Sequence, residues 1–313
     1  METLLTLTQQ ILNGLLTGTA YVLIALGLTI IFGIYRVINM AHGIFYMCGG
    51  FFCYVFATLL GLNTYLSMLL SMIVTGGVAA AVERIVFRPL QGSPDWVFLV
   101  VGIGLYFTLE NFGWIVEGPL PLHVHAYATQ VTLRTAGLYF NLQKLVMAGV
   151  CLLLLMFLYY ILRRTDVGRA MRAVSVDPEA AKLMGIHPGK VSMVVFYLGG
   201  AFAAAAGSLV GSLSSINPTM GFSPQLMAFI VVVFGGMGSI LGTVIAGLFV
   251  GILQNVIAWA ITPRYSYAFT MLLLLIIFII RPTCMPVYRA SHVATTSSFR
   301  WSAPGPGPAQ NLP

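Results

Sequence analysis

The chain has 313 residues, of which 59% are hydrophobic and 7% charged, with a formal net charge of +7 and a mean hydropathy of +0.94. These values exclude a soluble globular domain. The basic residues are scattered between apolar runs, so they read as loop anchors at a membrane surface and not as a nucleic-acid site.

Residues 3–35, 37–82, 145–162, 191–263 and 265–280 contain no Asp, Glu, Lys or Arg. A membrane span needs roughly 20 mostly apolar residues, so some of these runs hold one helix and others two. Barrel strands would alternate polar with apolar residues, and these do not. The fold class is therefore all-α: a polytopic membrane helix bundle of about eight to nine transmembrane segments, including a glycine-interrupted or re-entrant pair.

In chain order, the start "METLLTLTQQ" lacks the basic region of a secretory signal, which predicts an uncleaved first helix. Helices are predicted near 11–35, 41–60, 64–86, 96–116, 143–162 and 191–213, then near 225–236 and 239–260, and last near 266–281. Asn39, His42 and Gly43 fall between the first two. They read either as a polar helix-end cluster bonded to backbone or as an irregular stretch lining a path. Glu110 and Asn111 lie in the fourth helix, where an acid costs roughly 3 kcal/mol to insert and is a functional candidate. His123 and His125 have a spacing that suits two ligands on one strand face, but no Cys or carboxylate clusters nearby, so no metal is assigned. Cys48, Cys53, Cys151 and Cys284 show no metal or disulfide spacing.

The segment 163–190 holds six Lys or Arg and is short, which places it in the cytoplasm. Counting back puts the loop 83–95 inside, the N-terminus and the loop 117–142 outside, and the C-terminus inside. Nine crossings fit if both halves of 225–260 span, and seven if they form a hairpin. Within 163–190, Asp177-Pro178-Glu179 reads as a helix start, Ala180 and Ala181 continue it, and Gly185 ends it. A helix of about two turns is marginal alone and needs the bundle or a soluble partner to order it. Gly235, Gly236 and Gly238 are poor helix formers in close succession and suggest a break or bend. The residues 284–313 are rich in Ser, Thr, Pro and Gly and are expected to form a disordered cytoplasmic tail on a 1–283 permease domain.

The stretch "EAAKLMG" (179–185) resembles the Glu-Ala-Ala-x-x-x-Gly loop of ABC importer permeases. "ALGLTIIFGIYRVINMAHGIFYMCGG" (25–50), "VVVFGGMGSILGTVIAG" (231–247) and "IIRPTC" (279–284) resemble segments of the branched-chain amino acid permeases. The resemblance covers roughly 10–283. It implies two homologous permease subunits, ABC ATPase subunits that bind the ATP and Mg, and a periplasmic binding protein that delivers leucine, isoleucine or valine. It also implies that Asp177, Glu179, Ala180, Ala181 and Gly185 dock the ATPase, and it adds an inner-membrane location. The translocation candidates are Asn39, His42, Gly43, Glu110, Asn111, Gly235, Gly236 and Gly238. Two departures stand out: Glu110-Asn111 where relatives commonly carry Gln-Asn, and an ending that differs after Thr283.

No Gly-x-x-x-x-Gly-Lys-Ser/Thr loop occurs, so energy comes from another chain or from an ion gradient, and no cofactor is expected on this chain. The alternatives are a permease for urea or short amides, an ion-coupled secondary transporter and, least supported, an intramembrane enzyme, for which neither a nucleophile–base pair nor His-Glu-x-x-His is present.

Overall fold

The structure is a computed structural model, and it describes residues 2–35, 39–118, 120–124, 127–135 and 138–280. The helices are α1 (Glu2–Tyr35), α2 (His42–Tyr54), α3 (Thr64–Val82), α4 (Asp95–Glu117), α5 (Tyr127–Gln130), α6 (Leu142–Arg164), α7 (Asp166–Val176), α8 (Pro178–Leu183), α9 (Pro188–Gly211), α10 (Phe222–Gly235), α11 (Ile240–Ala260) and α12 (Ser266–Ile280). Turns of π-helix prolong α2 over Val55–Leu59 and α3 over Glu83–Phe87, and a 3₁₀ turn, Pro218–Gly221, leads into α10. Strands β1 (Thr132–Thr135) and β2 (Leu138–Asn141) add a small antiparallel hairpin to the predicted helices. Among the described residues, eight helical segments are long and apolar enough to cross a membrane, and α12 adds a shorter apolar helix beyond them.

The bundle has two distinguishable ends. At one, the hairpin end, Gln9 Nε2 donates to Tyr139 O at 2.6 Å, Gln143 Nε2 donates to Ser212 Oγ at 2.6 Å, and Leu122 pairs with Ile216. At the other, the charged end, Tyr35, the turn at 91–95 and helices α7 and α8 surround one cavity. The N-terminus thus shares an end with the 117–142 loop, and 83–95 shares the other with 163–190. This is the pairing that the distribution of basic residues predicts.

Between lipid-facing helices there is little hydrophobic drive, so close backbone approach and buried hydrogen bonds hold the bundle. Helix α1 is clasped by α9 and α11, and α9 also packs on α2 and α3. Thr29 and Thr243 share a hydrogen bond of 2.8 Å between α1 and α11, and Ser71 Oγ donates to Gly49 O at 2.8 Å between α3 and α2.

Two triplets of helices repeat in inverted sense. Helix α1 runs from the hairpin end to the charged end, α2 runs back from mid-depth to the hairpin end, and α3 returns. Helix α9 runs from the charged end to the hairpin end, α10 starts at mid-depth and reaches the charged end, and α11 returns. The packing follows the exchange: α3 lies on α9 as α11 lies on α1, and α2 on α9 as α10 on α1. At the pseudo-two-fold axis Gly43 and Gly221 meet reciprocally. A Cβ on Gly43 would lie 2.6 Å from Gly221 O, and one on Gly221 would lie 2.2 Å from Gly43 O. Each glycine follows an asparagine by one turn, in "NMAHG" and "NPTMG".

Candidate functional site

Helix α8 is built as its sequence predicts. Asp177 Oδ1 accepts from Glu179 N at 2.9 Å and Ala180 N at 3.1 Å, and Pro178 needs no donor in the first turn. Gly185 ends the helix at φ +79°. Gly185 N bonds Lys182 O and Ile186 N bonds Ala181 O, both at 3.0 Å, which satisfies the last carbonyls. Ala181 faces the bundle and is buried, whereas Leu183 and Met184 are 89% and 82% exposed. Glu179 and Lys182 pair at 2.7 Å in the open.

Helix α7 anchors this element. Its apolar face, including Met171 and Val174, is buried. Thr165 caps its start through Gly168 N at 3.2 Å, Asp166 pairs with Arg169, and Arg172 donates to Leu162 O at the end of α6. The Arg88 guanidinium lies against Gly189, tying the 83–95 turn to the start of α9. A cavity of about 620 Å³ separates α8 from the bundle, lined by Tyr35, Gln91, Asp95, Glu179, Lys182 and Ser192 among others.

Behind that cavity lies Glu83, which is fully buried. Its Oε1 accepts from the Tyr35 hydroxyl at 2.9 Å, and Gln91 Nε2 donates to the same hydroxyl at 2.9 Å. Sequence reasoning placed Glu83 where the predicted helix 64–86 runs into the inside loop 83–95 and gave it no role. The π-turn that carries it inward leaves only "ER" as a signal, which opens a basic stretch like any loop start.

The second candidate region is the junction at mid-depth. A Cβ on Gly102, about two turns into α4, would lie 3.2 Å from Met40 N, and Tyr106 stands one turn further on. His42 Nε2 meets Ile24 O at 3.1 Å. Ile24 lies about three turns before the end of α1. Since a carbonyl only accepts, the proton sits on Nε2, and His42 fastens the start of α2 to α1. Asn39 Oδ1 accepts from Ala41 N at 2.9 Å, and Gln225 Nε2 donates to Asn39 O at 3.3 Å. Gly43 abuts Gly221 in the same layer. Asn39, His42 and Gly43 therefore come together at depth, and Gln225 and Tyr106, which sequence reasoning missed, join them. Gln225 is the one amide in α10, whose only other polar side chain is Ser223, and that isolation was the available signal.

Of the remaining candidates, Glu110 stands one turn beyond Tyr106 on α4, close enough to interact electrostatically with its hydroxyl, and is partly exposed, while Asn111 is exposed. Asn111 Nδ2 donates to Phe107 O of its own helix at 2.7 Å. Gly235 packs on Gly242, while Gly236 and Gly238, at φ +85° and +89°, form the turn between α10 and α11. That turn lies near Gly33 at the charged end, not at depth. Among the described residues no group of His, Cys, Asp or Glu could hold a metal. His125 and the 281–313 segment, with Cys284 and the predicted tail, lie outside the described residues.

A many-span helical bundle with an inverted repeat, helices that start at mid-depth and a capped helix at one end defines a membrane transport permease. The chain belongs to the family described as branched-chain amino acid transport system / permease component, whose model matches residues 10–278. It is 32% identical over 288 residues to the high-affinity branched-chain amino acid transport system permease protein BraD of Pseudomonas aeruginosa, covering 88% of this chain and 94% of that protein. It is 31% identical over 295 residues to the permease protein LivH of Salmonella typhimurium, covering 90% and 96%. A solved structure, PsaBC from Streptococcus pneumoniae in complex with Fab, matches with a TM-score of 0.49 at 14% identity over 90% of this chain and 94% of that one, a likeness too distant to carry an argument.

Proposed function

We propose that this chain is the permease subunit of an ATP-driven importer that carries branched-chain amino acids inward across the inner membrane by alternating access. ABC ATPase subunits dock on α8, and a periplasmic binding protein delivers substrate at the hairpin end. The observation that supports this most is α8 itself. It is capped at both ends and held against the bundle through Ala181, yet it offers Leu183 and Met184 to the solvent on a chain with no ATP-binding loop. Exposed apolar side chains on an ordered tip mark a partner surface.

A second homologous permease covers α4. Its outward stripe carries Gly104, Thr108 and Asn111, small and polar residues that favour helix association. The binding protein does most of the selecting, which fits the scarcity of charge within the spans. The test is uptake of labelled leucine into proteoliposomes holding both permeases and the ATPase, with loaded binding protein outside the face that receives it. ATP-dependent leucine uptake is expected. Uptake of urea or short amides alone would move the assignment to that importer class, and uptake driven by an ion gradient without ATP would overturn it.

A further inference from the structure

Helices α2 and α10 begin near the middle of the bundle, and their first turns touch through Gly43 and Gly221. Each N-terminus presents partial positive charge, with His42 N and Ile44 N held by the carbonyls of Asn39 and Ala41 and Phe222 N by that of Thr219. Asn39 and Gln225 flank this meeting point at 2% and 3% exposure, and Tyr106 stands at the same junction at 4%.

The orientation of both amides follows from their backbone bonds. Asn39 Oδ1 is held by Ala41 N, so its nitrogen is the spare atom. Gln225 Nε2 donates to Asn39 O, so its oxygen is the spare atom. Turning either amide would set donor against donor or acceptor against acceptor. What remains is one donor, Asn39 Nδ2, two acceptors, Gln225 Oε1 and His42 Nδ1, and the Tyr106 hydroxyl. All are buried and have no hydrogen-bond partner among the described residues. Buried polar atoms are nearly always paired, so a cluster of spare ones calls for a further partner.

We infer that this junction is the polar half of the subsite that holds the transported α-amino acid. The carboxylate lies toward the two helix N-termini and Asn39 Nδ2, and the ammonium lies toward Gln225 Oε1. Half-helices that meet at the midplane suit an anionic group, and the spare acceptors beside them, Gln225 Oε1 and His42 Nδ1, suit the opposite charge of a zwitterion. Phe222, with its ring 6.0 Å from that of Tyr106, supplies apolar surface for the aliphatic side chain. The spare atoms are closed to solvent here, so the amino acid enters when α10 and residues 39–43 part. The inference rests on the importer reading above.

The test uses the complete importer in proteoliposomes with leucine-loaded binding protein. Asn39→Asp keeps the oxygen that accepts from Ala41 N but replaces the spare donor with an acceptor. The buried acid costs stability, so uptake is read per assembled importer; if Asn39 served only to cap the chain, the assembled variant would transport as wild type. The expected result is normal assembly with leucine uptake reduced at least about tenfold, as for a lost hydrogen bond to a charged group. Uptake within about twofold of wild type would overturn the subsite. Should Asn39→Asp fail to assemble, Tyr106→Phe, which removes one hydroxyl, decides: reduced uptake supports the subsite and unchanged uptake overturns it. Absence of leucine uptake by wild type itself would instead remove the importer reading, and the subsite with it.

Discussion

Replacing Gly221 by Ala tests the closest backbone approach at the axis of the inverted repeat. The added Cβ would lie 2.2 Å from Gly43 O, where ordinary contact begins at 3.4 Å. The obstacle is backbone on both sides, so no rotamer change relieves it, and the first turns of α2 and α10 must separate by about 1 Å. Overpacking of this kind costs roughly 1–3 kcal/mol, and the upper half of that range applies because neither helix can yield alone. Gly149→Ala is the control, since its Cβ would meet nothing within 4 Å. It should gain up to about 1 kcal/mol from helix propensity. Thermal unfolding of the purified protein in one detergent should therefore rank Gly221→Ala below wild type and Gly149→Ala level with it or above. Equal shifts for the two variants would refute the reasoning, because they would mean that the crossing at Gly43 and Gly221 is not close.

Two further outcomes follow from the charged end. Tyr35→Phe removes the hydroxyl that donates to the buried Glu83 carboxyl, and should cost about 1–3 kcal/mol. The same change in a Glu83→Gln background should cost clearly less, because the carboxyl that accepts from the Tyr35 hydroxyl is then gone. A thermal-stability double-mutant cycle reads the difference, and additive effects would show that the two groups are independent. Asp177→Ala removes the acceptor for Glu179 N and Ala180 N and should loosen α8 by about 1 kcal/mol. Hydrogen exchange should accelerate roughly fivefold across residues 179–184 and recover in Asp177→Ser; unchanged exchange would mean that the cap does not hold the helix.

The spans were legible because each apolar run is long enough to cross and nothing else explains its length. Helix α8 was legible for a different reason: Asp-Pro-Glu and Gly each carry a local backbone requirement that the tertiary structure did not override. The mid-depth starts of α2 and α10 were harder to read. A chain that re-enters halfway shows the same polar flanks as one that leaves the membrane, so "SSINPTMGFS" looks like a surface loop although Gly221 sits against Gly43 at depth. Conversely, three glycines at 235–238 suggested a break within the membrane, yet positive φ at Gly236 and Gly238 serves a tight turn at the bundle end. The amides of Asn39 and Gln225 are 186 residues apart, so only the fold could bring them together.

The most direct measurement for an ATP-driven permease is a pull-down from native membranes with wild type beside Glu179→Lys. The Glu179–Lys182 pair is exposed and contributes at most about 1 kcal/mol, so charge reversal should leave the bundle intact. Recovery of an ABC ATPase by wild type, and its loss from a Glu179→Lys protein present in equal amount, is the expected result. Equal recovery by both would contradict docking at α8, and recovery of no ATPase by either would contradict the ATP-driven assignment.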